Sequence, residues 1–194
     1  VDTGAMYRAM ALYFLRNKIQ PTETEKLEEA CKEVDISIRY VDGEQQVLLG
    51  NENVNALIRA EEVGNMASNC SVNLEVRSKL VELQRKLAKK EHVVMDGRDI
   101  GTTVFPNADL KIFMTASPQV RAERRFAELA AKGEVLTMEQ VKENLAHRDH
   151  IDSTREESPL RKAEDAIILD NSELNQEEQL QFVINLVKEK VELS

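Results

Sequence analysis

Three short apolar segments, each followed directly by polar residues, constrain the fold of this chain more than any other feature. They occupy residues 92–95, 110–115 and 166–169, and helical patterns separate them. Short apolar strands that alternate with helices indicate a layered α/β domain with a largely parallel sheet. The sequence therefore predicts the α/β class, with three layers.

Helix signals occupy much of the remaining chain. Apolar periodicity predicts helices over residues 5–16 and 73–90, and a last helix from about residue 176. Capping patterns predict three further starts, at Thr22 with Glu25, at Ser117 before Pro118, and at Thr137 with Gln140. The helix that begins at Thr22 is expected to run to about Val34.

A β-hairpin is predicted between the second helix and the first long amphipathic one. Residues 36–41 and 46–49 flank Asp42-Gly43-Glu44, and Asp-Gly between alternating apolar residues is the strongest short-range hairpin signal. The parallel-sheet pattern resumes only near His92. We therefore predict that residues 35–90 are inserted into a core formed by residues 1–34 and 91–194.

Composition excludes several classes of protein. A net charge of −9 opposes a nucleic-acid-coating role, and two isolated cysteines favour free thiols over a disulfide framework or a thiolate metal site. No apolar run reaches the length of a membrane span. We expect a cytoplasmic monomer that binds neither nucleic acid nor a membrane.

Polar residues directly after the predicted strands are the first candidates for a functional site. In open α/β sheets ligands bind beyond the carboxyl ends of the strands. Asp2-Thr3-Gly4 opens the first helix, residues 96–99 follow the segment at 92–95, and Asp170-Asn171 follow the last strand. The Thr3 hydroxyl and the Arg98 guanidinium suit a phosphate group. Alternatively, Thr3 serves only as an N-cap.

Arginine spacing is a second clue. Arg121, Arg124 and Arg125 share one helix face, and Arg148 and Arg155 are seven residues apart with Asp152 between them. Each set fits either an ion-paired, solvated helix face or an anion site. Their concentration in an acidic chain favours a polyphosphate ligand, held by a lid at about residues 118–156 that breaks near residues 132–135. His147 and His150 lack a third ligand nearby, so no metal site is predicted.

Two motifs resemble bacterial cytidylate kinases. They are Asp-Thr-Gly-Ala-Met-Tyr-Arg at residues 2–8 and Asp-Gly-Arg-Asp-Ile-Gly-Thr-Thr-Val-Phe-Pro at residues 96–106. The likeness continues through residues 110–117 and 148–155, and so spans essentially the whole chain. It implies a P-loop nucleoside monophosphate kinase fold with a parallel sheet, a small inserted monophosphate-binding domain that contains the hairpin, and a helical lid.

The resemblance also implies an activity and a set of site residues. The activity is transfer of the ATP γ-phosphoryl group to CMP or dCMP, with ATP as co-substrate and Mg²⁺ as cofactor. It assigns the CMP phosphate to Thr3, Arg8, Arg98 and Arg155, the pyrimidine to Ser68, Arg77 and Asp99, and the ribose to Asp152 with Arg148. The lid residues Arg121, Arg124 and Arg125 are our candidates for the donor side. Together with the acceptor-side residues Arg98 and Arg155, they are expected to neutralise charge during transfer.

The assigned base contacts fit the chemistry of cytosine. The Asp99 carboxylate can accept a hydrogen bond from the N4 amino group, while Arg77 and Ser68 can donate to N3 and O2. Uracil exchanges a donor for an acceptor, which would leave polar groups of the site unpaired. The arrangement is therefore expected to discriminate against UMP.

One departure from the resembled family affects the expected activity. The seven glycines include no G-x-x-x-x-G-K-[ST] loop, the element that holds the ATP phosphates and Mg²⁺. We therefore expect an N-terminally truncated chain without useful kinase turnover. One alternative is a catalytically dead CMP-binding module. Another is a phosphatase with Asp96 or Asp99 as nucleophile, although their spacing differs from the Asp-x-Asp pair such an enzyme needs.

Overall fold

The structure, a computed structural model, describes residues 1–89 and 92–192, with side chains to residue 190. It contains two compact units, Val1–Ile100 with Ile151–Leu160 and Gly101–His150 with Arg161–Ser194. The α/β class is confirmed, because helices accompany a parallel pair of strands. The predicted division into core, insertion and lid stays a prediction. Its boundary at residues 90 and 91 lies outside the described residues.

The first unit contains four helices and a small antiparallel sheet. The helices are α1 (Thr3–Arg16), α2 (Thr24–Glu33), α3 (Glu61–Cys70) and α4 (Leu74–Leu87), and the strands are β1 (Ile36–Val41), β2 (Glu44–Leu49) and β3 (Glu52–Asn53). Helix α1 is the central element and contacts α3, α4, β1 and β2. Its buried side chains Met6, Met10 and Phe14 form the middle of the core. Full burial of each stabilises the unit by roughly 1.5–3 kcal/mol.

The N-terminus of α1 corrects one expectation. Asp2 is the N-cap, and its Oδ1 accepts a hydrogen bond from the Ala5 backbone N–H at 2.9 Å. The Thr3 hydroxyl instead donates to the Asp96 carbonyl oxygen at 2.6 Å. The interpretation of Thr3 as only an N-cap is therefore wrong.

Strands β1 and β2 pair antiparallel from Ile36 with Leu49 to Val41 with Glu44. Asp42 and Gly43 connect them, both with positive φ, 53° and 82°. A two-residue turn of this kind matches the right-handed twist of the flanking strands, and glycine adopts such a φ without steric cost. The pairing is the one that the Asp-Gly signal predicts.

The predicted strand at residues 92–95 is not formed in the described structure. Asp96 makes a single parallel bridge with Asp2. The Thr3 N–H donates to the Asp96 carbonyl oxygen at 3.2 Å, and the Asp96 N–H donates to the Val1 carbonyl oxygen at 3.0 Å. Val94 is 85% exposed. An apolar segment becomes a strand only when neighbours supply a ladder of hydrogen bonds, and one bridge is not a ladder.

The predicted capping box at Thr22 and Glu25 is also wrong. Helix α2 begins at Thr24, and its N-cap Glu23 makes no side-chain capping bond. The Glu23 carboxylate accepts instead from the Gln20 backbone N–H at 2.8 Å and pairs with Lys26 at 2.6 Å. The helix therefore begins two residues after the predicted cap, without a side-chain capping bond.

The second unit contains the parallel strand pair, β4 (Ile112–Thr115) and β5 (Ile167–Asp170), in register from Ile112 with Ile167 to Thr115 with Asp170. Its helices are α5 (Pro118–Ala131), α6 (Met138–Thr154), whose last residues from Ile151 belong to the first unit, and α7 (Gln176–Glu192). One π-helical turn spans Ile100–Val104.

Two predicted helix starts in the second unit are confirmed. The Ser117 hydroxyl accepts from the Val120 N–H at 3.2 Å, with Pro118 at the first helical position of α5. Before α6, Thr137 and Gln140 exchange hydrogen bonds between backbone N–H and side chain at 2.8 and 3.2 Å. Both caps satisfy backbone donors that the helix itself leaves open.

Within residues 1–89 and 92–192, no helix combines the length and apolar character needed to cross a membrane.

Candidate functional site

A buried ion pair lies at the centre of the candidate site in the first unit. Arg77 on α4 donates from Nη2 to Oδ2 of Asp99, and their side chains are only 4% and 6% exposed. Arg77 also donates from Nη1 to the Ser71 carbonyl oxygen at 3.2 Å. Removing one partner of such a pair leaves an uncompensated buried charge and typically costs about 3–5 kcal/mol. The pair is therefore held in one geometry.

A second charge cluster is built around Asp152. Its Oδ2 accepts from Arg98 Nε and its Oδ1 from Arg155 Nη1, each at 2.9 Å. The Arg155 side chain is 2% exposed, and burial, together with the positive charge of Arg77, lowers its pKa below the usual value. Arg155 also donates from Nε and Nη2 to the Ser158 carbonyl oxygen at 3.0 and 2.9 Å. Most of the Arg155 donors are thus used within the protein.

Ser71 links the two clusters. Its carbonyl oxygen accepts from Arg77, and its hydroxyl accepts from Arg155 Nη1 at 3.4 Å. The same hydroxyl donates to the Ser68 carbonyl oxygen at 2.7 Å. Sequence reasoning missed Ser71, because a serine at the end of a helix carries no signal that distinguishes this role.

Several buried polar atoms at this site have no hydrogen-bond partner among the described residues. They are Tyr7 Oη, Ser68 Oγ and Arg77 Nε, and Gln84 Nε2 on α4 is a further case. An unpaired buried polar group costs about 1–3 kcal/mol, so these atoms are available to hydrogen-bond with a ligand or with water. Ser68 and Arg77 are two of the residues predicted to contact the base.

Tyr7 packs against the first ion pair. The Arg77 guanidinium carbon lies 5.6 Å from the centre of the Tyr7 ring, within cation–π distance. Burial raises the pKa of the Tyr7 hydroxyl to about 12, although the charge of Arg77 acts in the opposite direction. Tyr7 was not among the predicted site residues.

Thr3 and Gly97 approach each other closely at the start of α1. A Cβ atom added at Gly97 would lie 2.5 Å from Thr3 Oγ1 and 2.9 Å from the Ile100 side chain. Only glycine fits without displacing Thr3. Next to them, burial and then the Asp2 carboxylate raise the pKa of Asp96 above its usual value.

Arg8 lies against the backbone of α3. Its Nη1 donates to the Ile58 carbonyl oxygen at 3.0 Å, and a Cβ atom at Gly64 would lie 2.9 Å from the same nitrogen. The structure thus places Thr3, Arg8, Ser68, Arg77, Arg98, Asp99, Asp152 and Arg155 in the first unit.

The three arginines of α5 pair within the second unit. Arg121 makes two hydrogen bonds with Asp149 at 2.6 and 2.8 Å, which raises the pKa of Arg121. Arg124 donates to the side chain and backbone of Asn171, and Arg125 pairs with Glu128 at 2.8 Å. Their role toward a phosphoryl donor stays a prediction, as does the role of Arg148, which also belongs to this unit.

The candidate site can therefore hold a small anion that carries a heterocycle. Guanidinium groups can bind phosphate oxygens through paired N–H groups, and a carboxylate held by an arginine can accept from an exocyclic amino group. Buried donors without partners supply the remaining hydrogen bonds.

Comparison with known proteins agrees with this chemistry. The sequence profile of the cytidylate kinase family matches residues 1–189. A protein named cytidylate kinase from Caldicellulosiruptor bescii is 50% identical over 186 residues, which cover 96% of this chain and 82% of the relative. Cytidylate kinases from Flavobacterium johnsoniae and Bacteroides thetaiotaomicron are 48% and 47% identical, over 100% and 94% of this chain and 86% and 82% of their own lengths.

The α/β architecture with its parallel strand pair is consistent with a nucleoside monophosphate kinase fold. Kinases of this family act on small nucleotides and require a nucleotide co-substrate. A profile match over nearly the whole chain, with relatives at about half identity, shows that this protein belongs to the cytidylate kinase family of phosphoryl-transferring enzymes.

Proposed function

We propose that this enzyme transfers the γ-phosphoryl group of ATP to CMP or dCMP, giving CDP or dCDP, and that its first unit binds the acceptor nucleotide. The observation that carries the proposal is the buried Arg77–Asp99 pair with unpaired donors beside it at Arg77 Nε and Ser68 Oγ. A donor pair next to a carboxylate is the complement of the cytosine edge.

Base recognition follows from this complement. Asp99 accepts from cytosine N4, and Arg77 and Ser68 donate to N3 and O2. The Arg77–Asp99 ion pair prevents either side chain from turning to suit another base, because both are buried and bonded to each other. UMP presents an N3 donor and an O4 acceptor, so it leaves Asp99 or Arg77 without a partner.

Phosphate binding is assigned to Thr3, Arg8 and Arg98, with Arg155 as a further arginine. Arg98 is the best placed to move to a ligand, because its side chain is 54% exposed and Asp152 engages its Nε. Guanidinium groups hold the acceptor phosphate in one orientation and neutralise part of its charge. That orientation supports in-line attack of a CMP phosphate oxygen on the γ-phosphorus, with ADP as the leaving group.

Ribose binding is assigned to Asp152 with help from Arg148. The Asp152 carboxylate already accepts from two guanidinium groups. The carboxylate can accept a hydrogen bond from a ribose hydroxyl when one of these guanidinium groups moves away. Such a contact is useful but not essential, which is compatible with both CMP and dCMP as substrates.

The wider arrangement is proposed on the same basis. Residues 1–34 and 91–194 would form the core, residues 35–90 the CMP-binding insertion, and about residues 118–156 a lid that carries Arg121, Arg124 and Arg125. Because Asp149 and Glu128 now pair with Arg121 and Arg125, a donor phosphate would have to replace these carboxylates. A monomeric state and a cytoplasmic location stay predictions from the sequence.

Mg²⁺ is the cofactor that such a kinase implies, and it would bind together with the ATP phosphates, because such sites hold Mg²⁺ through substrate phosphates, water and one or two protein oxygens. In the described part of the chain no three His, Cys, Asp or Glu side chains form a group that could hold a metal ion. The seven glycines also provide no phosphate-binding loop of the G-x-x-x-x-G-K-[ST] type.

The test is a phosphoryl-transfer assay on the enzyme expressed from its complete reading frame. With ATP and Mg²⁺, we expect CDP and dCDP to form from CMP and dCMP with much higher kcat/KM than UDP from UMP. Equal rates with CMP and UMP would contradict the base-recognition proposal. No CDP formation, with CMP binding retained in calorimetry, would indicate a CMP-binding module instead.

A further inference from the structure

The Tyr7 hydroxyl is a buried donor that the proposed set of nucleotide contacts does not use. Its oxygen has no hydrogen-bond partner among the described residues, although the ring itself is only partly buried. Tyr7 lies on α1 between the two proposed phosphate contacts, Thr3 and Arg8. A tyrosine that served only for packing would be as well satisfied by phenylalanine, without the cost of an unpaired hydroxyl.

The charges that act on this hydroxyl belong to both clusters of the site. They are those of Arg77 and Asp99 from the base-side pair, and those of Arg155 and Asp152 from the ribose-side cluster. The Arg77 guanidinium stacks over the Tyr7 ring at 5.6 Å, which fixes the direction of the ring. The hydroxyl therefore lies near the place where the two clusters meet.

The ligand atom that belongs at such a place follows from nucleotide geometry. In a pyrimidine nucleotide the O2 carbonyl is next to the glycosidic bond, between the N3–N4 edge of the base and the ribose. It is a hydrogen-bond acceptor with two lone pairs, so it can accept from more than one donor. Because burial raises the pKa of Tyr7 to about 12, the phenol keeps its proton throughout the neutral range and acts as a donor.

We propose that Tyr7 is a further nucleotide-binding residue whose hydroxyl donates a hydrogen bond to the pyrimidine O2 of the acceptor. This inference rests on the proposed function, because it needs a pyrimidine monophosphate in the first unit. O2 is common to cytosine and uracil and to ribose and deoxyribose nucleotides. Tyr7 therefore contributes affinity for pyrimidines in general, whereas Asp99 distinguishes cytosine from uracil.

The test compares Tyr7→Phe with the unmodified enzyme, each expressed from its complete reading frame. The variant removes only the hydroxyl and keeps the ring under Arg77. We expect its affinity for CMP and for dCMP, measured by calorimetry, to fall by about two- to tenfold in equal measure. Without nucleotide, its thermal midpoint should be unchanged or higher, because an unpaired buried group is lost. Tyr13→Phe on the same helix is the matched control and should leave CMP affinity unchanged.

Each other outcome overturns the inference in a recognisable way. A lower thermal midpoint with unchanged CMP affinity would show that the hydroxyl stabilises the fold. A loss confined to CMP, with dCMP binding intact, would place the hydroxyl on the ribose. If the unmodified enzyme binds no CMP, the proposed function fails and this inference with it. If the unmodified enzyme binds CMP and Tyr7→Phe binds it equally well, the inference alone fails.

Discussion

Arg98 donates from Nε to Oδ2 of Asp152 at 2.9 Å, so a proposed phosphate contact and a proposed ribose contact are bonded to each other. The two side chains differ in environment, because Arg98 is 54% exposed and Asp152 11%. Asp152 also supports the buried Arg155 through its other oxygen. The pair therefore joins an exposed guanidinium group to a largely buried carboxylate.

This difference in exposure predicts that substitution of Arg98 mainly weakens CMP binding, whereas substitution of Asp152 mainly lowers stability. Arg98→Gln should change the free energy of unfolding by less than about 1 kcal/mol, because its ion pair is exposed, and should raise the KM for CMP at least tenfold. Asp152→Asn should lower the free energy of unfolding by roughly 3 kcal/mol, because Arg155 loses its buried counter-charge. Urea unfolding and steady-state kinetics measure both effects. Equal destabilisation by the two variants would contradict this division of roles.

Asp99→Asn should reduce the preference for CMP over UMP. The carboxylate only accepts hydrogen bonds, whereas an amide can also donate, and uracil offers an acceptor where cytosine offers a donor. We expect the ratio of kcat/KM values for CMP and UMP to fall by at least tenfold. Because Arg77 also loses its buried partner, the variant will be less stable, and the assay temperature must lie below its thermal midpoint. An unchanged ratio would remove Asp99 from base recognition.

Arg77→Ala should raise the KM for CMP strongly and leave the KM for ATP nearly unchanged. The variant removes the Nε donor, which has no partner among the described residues, and the cation that holds Asp99 in place. Initial rates measured against each substrate in turn separate the two constants. Arg85→Ala, on the same helix and outside the proposed site, serves as the control. An effect confined to ATP would assign Arg77 to the donor side.

Two glycine substitutions test how closely the backbone approaches the phosphate contacts. Gly97→Ala would place Cβ 2.5 Å from Thr3 Oγ1, whereas Gly64→Ala would place it 2.9 Å from the end of the Arg8 side chain. The long Arg8 side chain can shift, but Thr3 is held in the first turn of α1. We therefore expect Gly97→Ala to lower kcat/KM for CMP about tenfold or more, and Gly64→Ala to lower it less. A larger effect of Gly64→Ala would contradict this order.

The two buried thiols predict a loss of stability at alkaline pH. Burial raises the pKa of Cys31 to about 11 and that of Cys70 to about 12. The unfolded chain releases these protons at lower pH than the folded one. Their contribution to stability is therefore complete below the ordinary thiol pKa and decreases as pH rises toward 11 and 12. Urea unfolding measures the free energy of unfolding between pH 8 and about pH 10.5. This free energy should fall less for the double variant Cys31→Ala/Cys70→Ala than for the unmodified enzyme. Equal decreases would contradict the assigned shifts.

Local signals predicted local structure well. The helix starts at Ser117 and Thr137 and the Asp42-Gly43 hairpin depend on atoms within a few residues, and the structure contains all three. Thr22 was the exception, because helix α2 begins at Thr24 with Glu23 as its N-cap. The segment at residues 92–95 was predicted as a strand from its apolar character, but a strand also needs neighbours that its own residues do not supply.

The candidate site also depends on contacts between distant parts of the chain, which local sequence signals do not predict. The family resemblance assigned Arg77, Asp99 and Asp152 to the functional site, and the structure brings Arg77 to Asp99 and Arg98 to Asp152. Sequence reasoning gave no role to Ser71 or to Tyr7, although Tyr7 lies within the motif at residues 2–8. Their importance lies in which distant side chains they contact and in whether a buried oxygen has a partner.

By itself, the sequence determined the family, the helices that have strong caps, the hairpin, and the arginine and aspartate residues available to a nucleotide. These depend on residue type and short-range spacing. Only the tertiary structure decided that Arg77 and Asp99, 22 residues apart in sequence, form a buried pair, and that Asp152 divides its carboxylate between Arg98 and Arg155. Burial removes water as an alternative partner, so which groups meet in the folded chain decides which charges are compensated and which donors stay available.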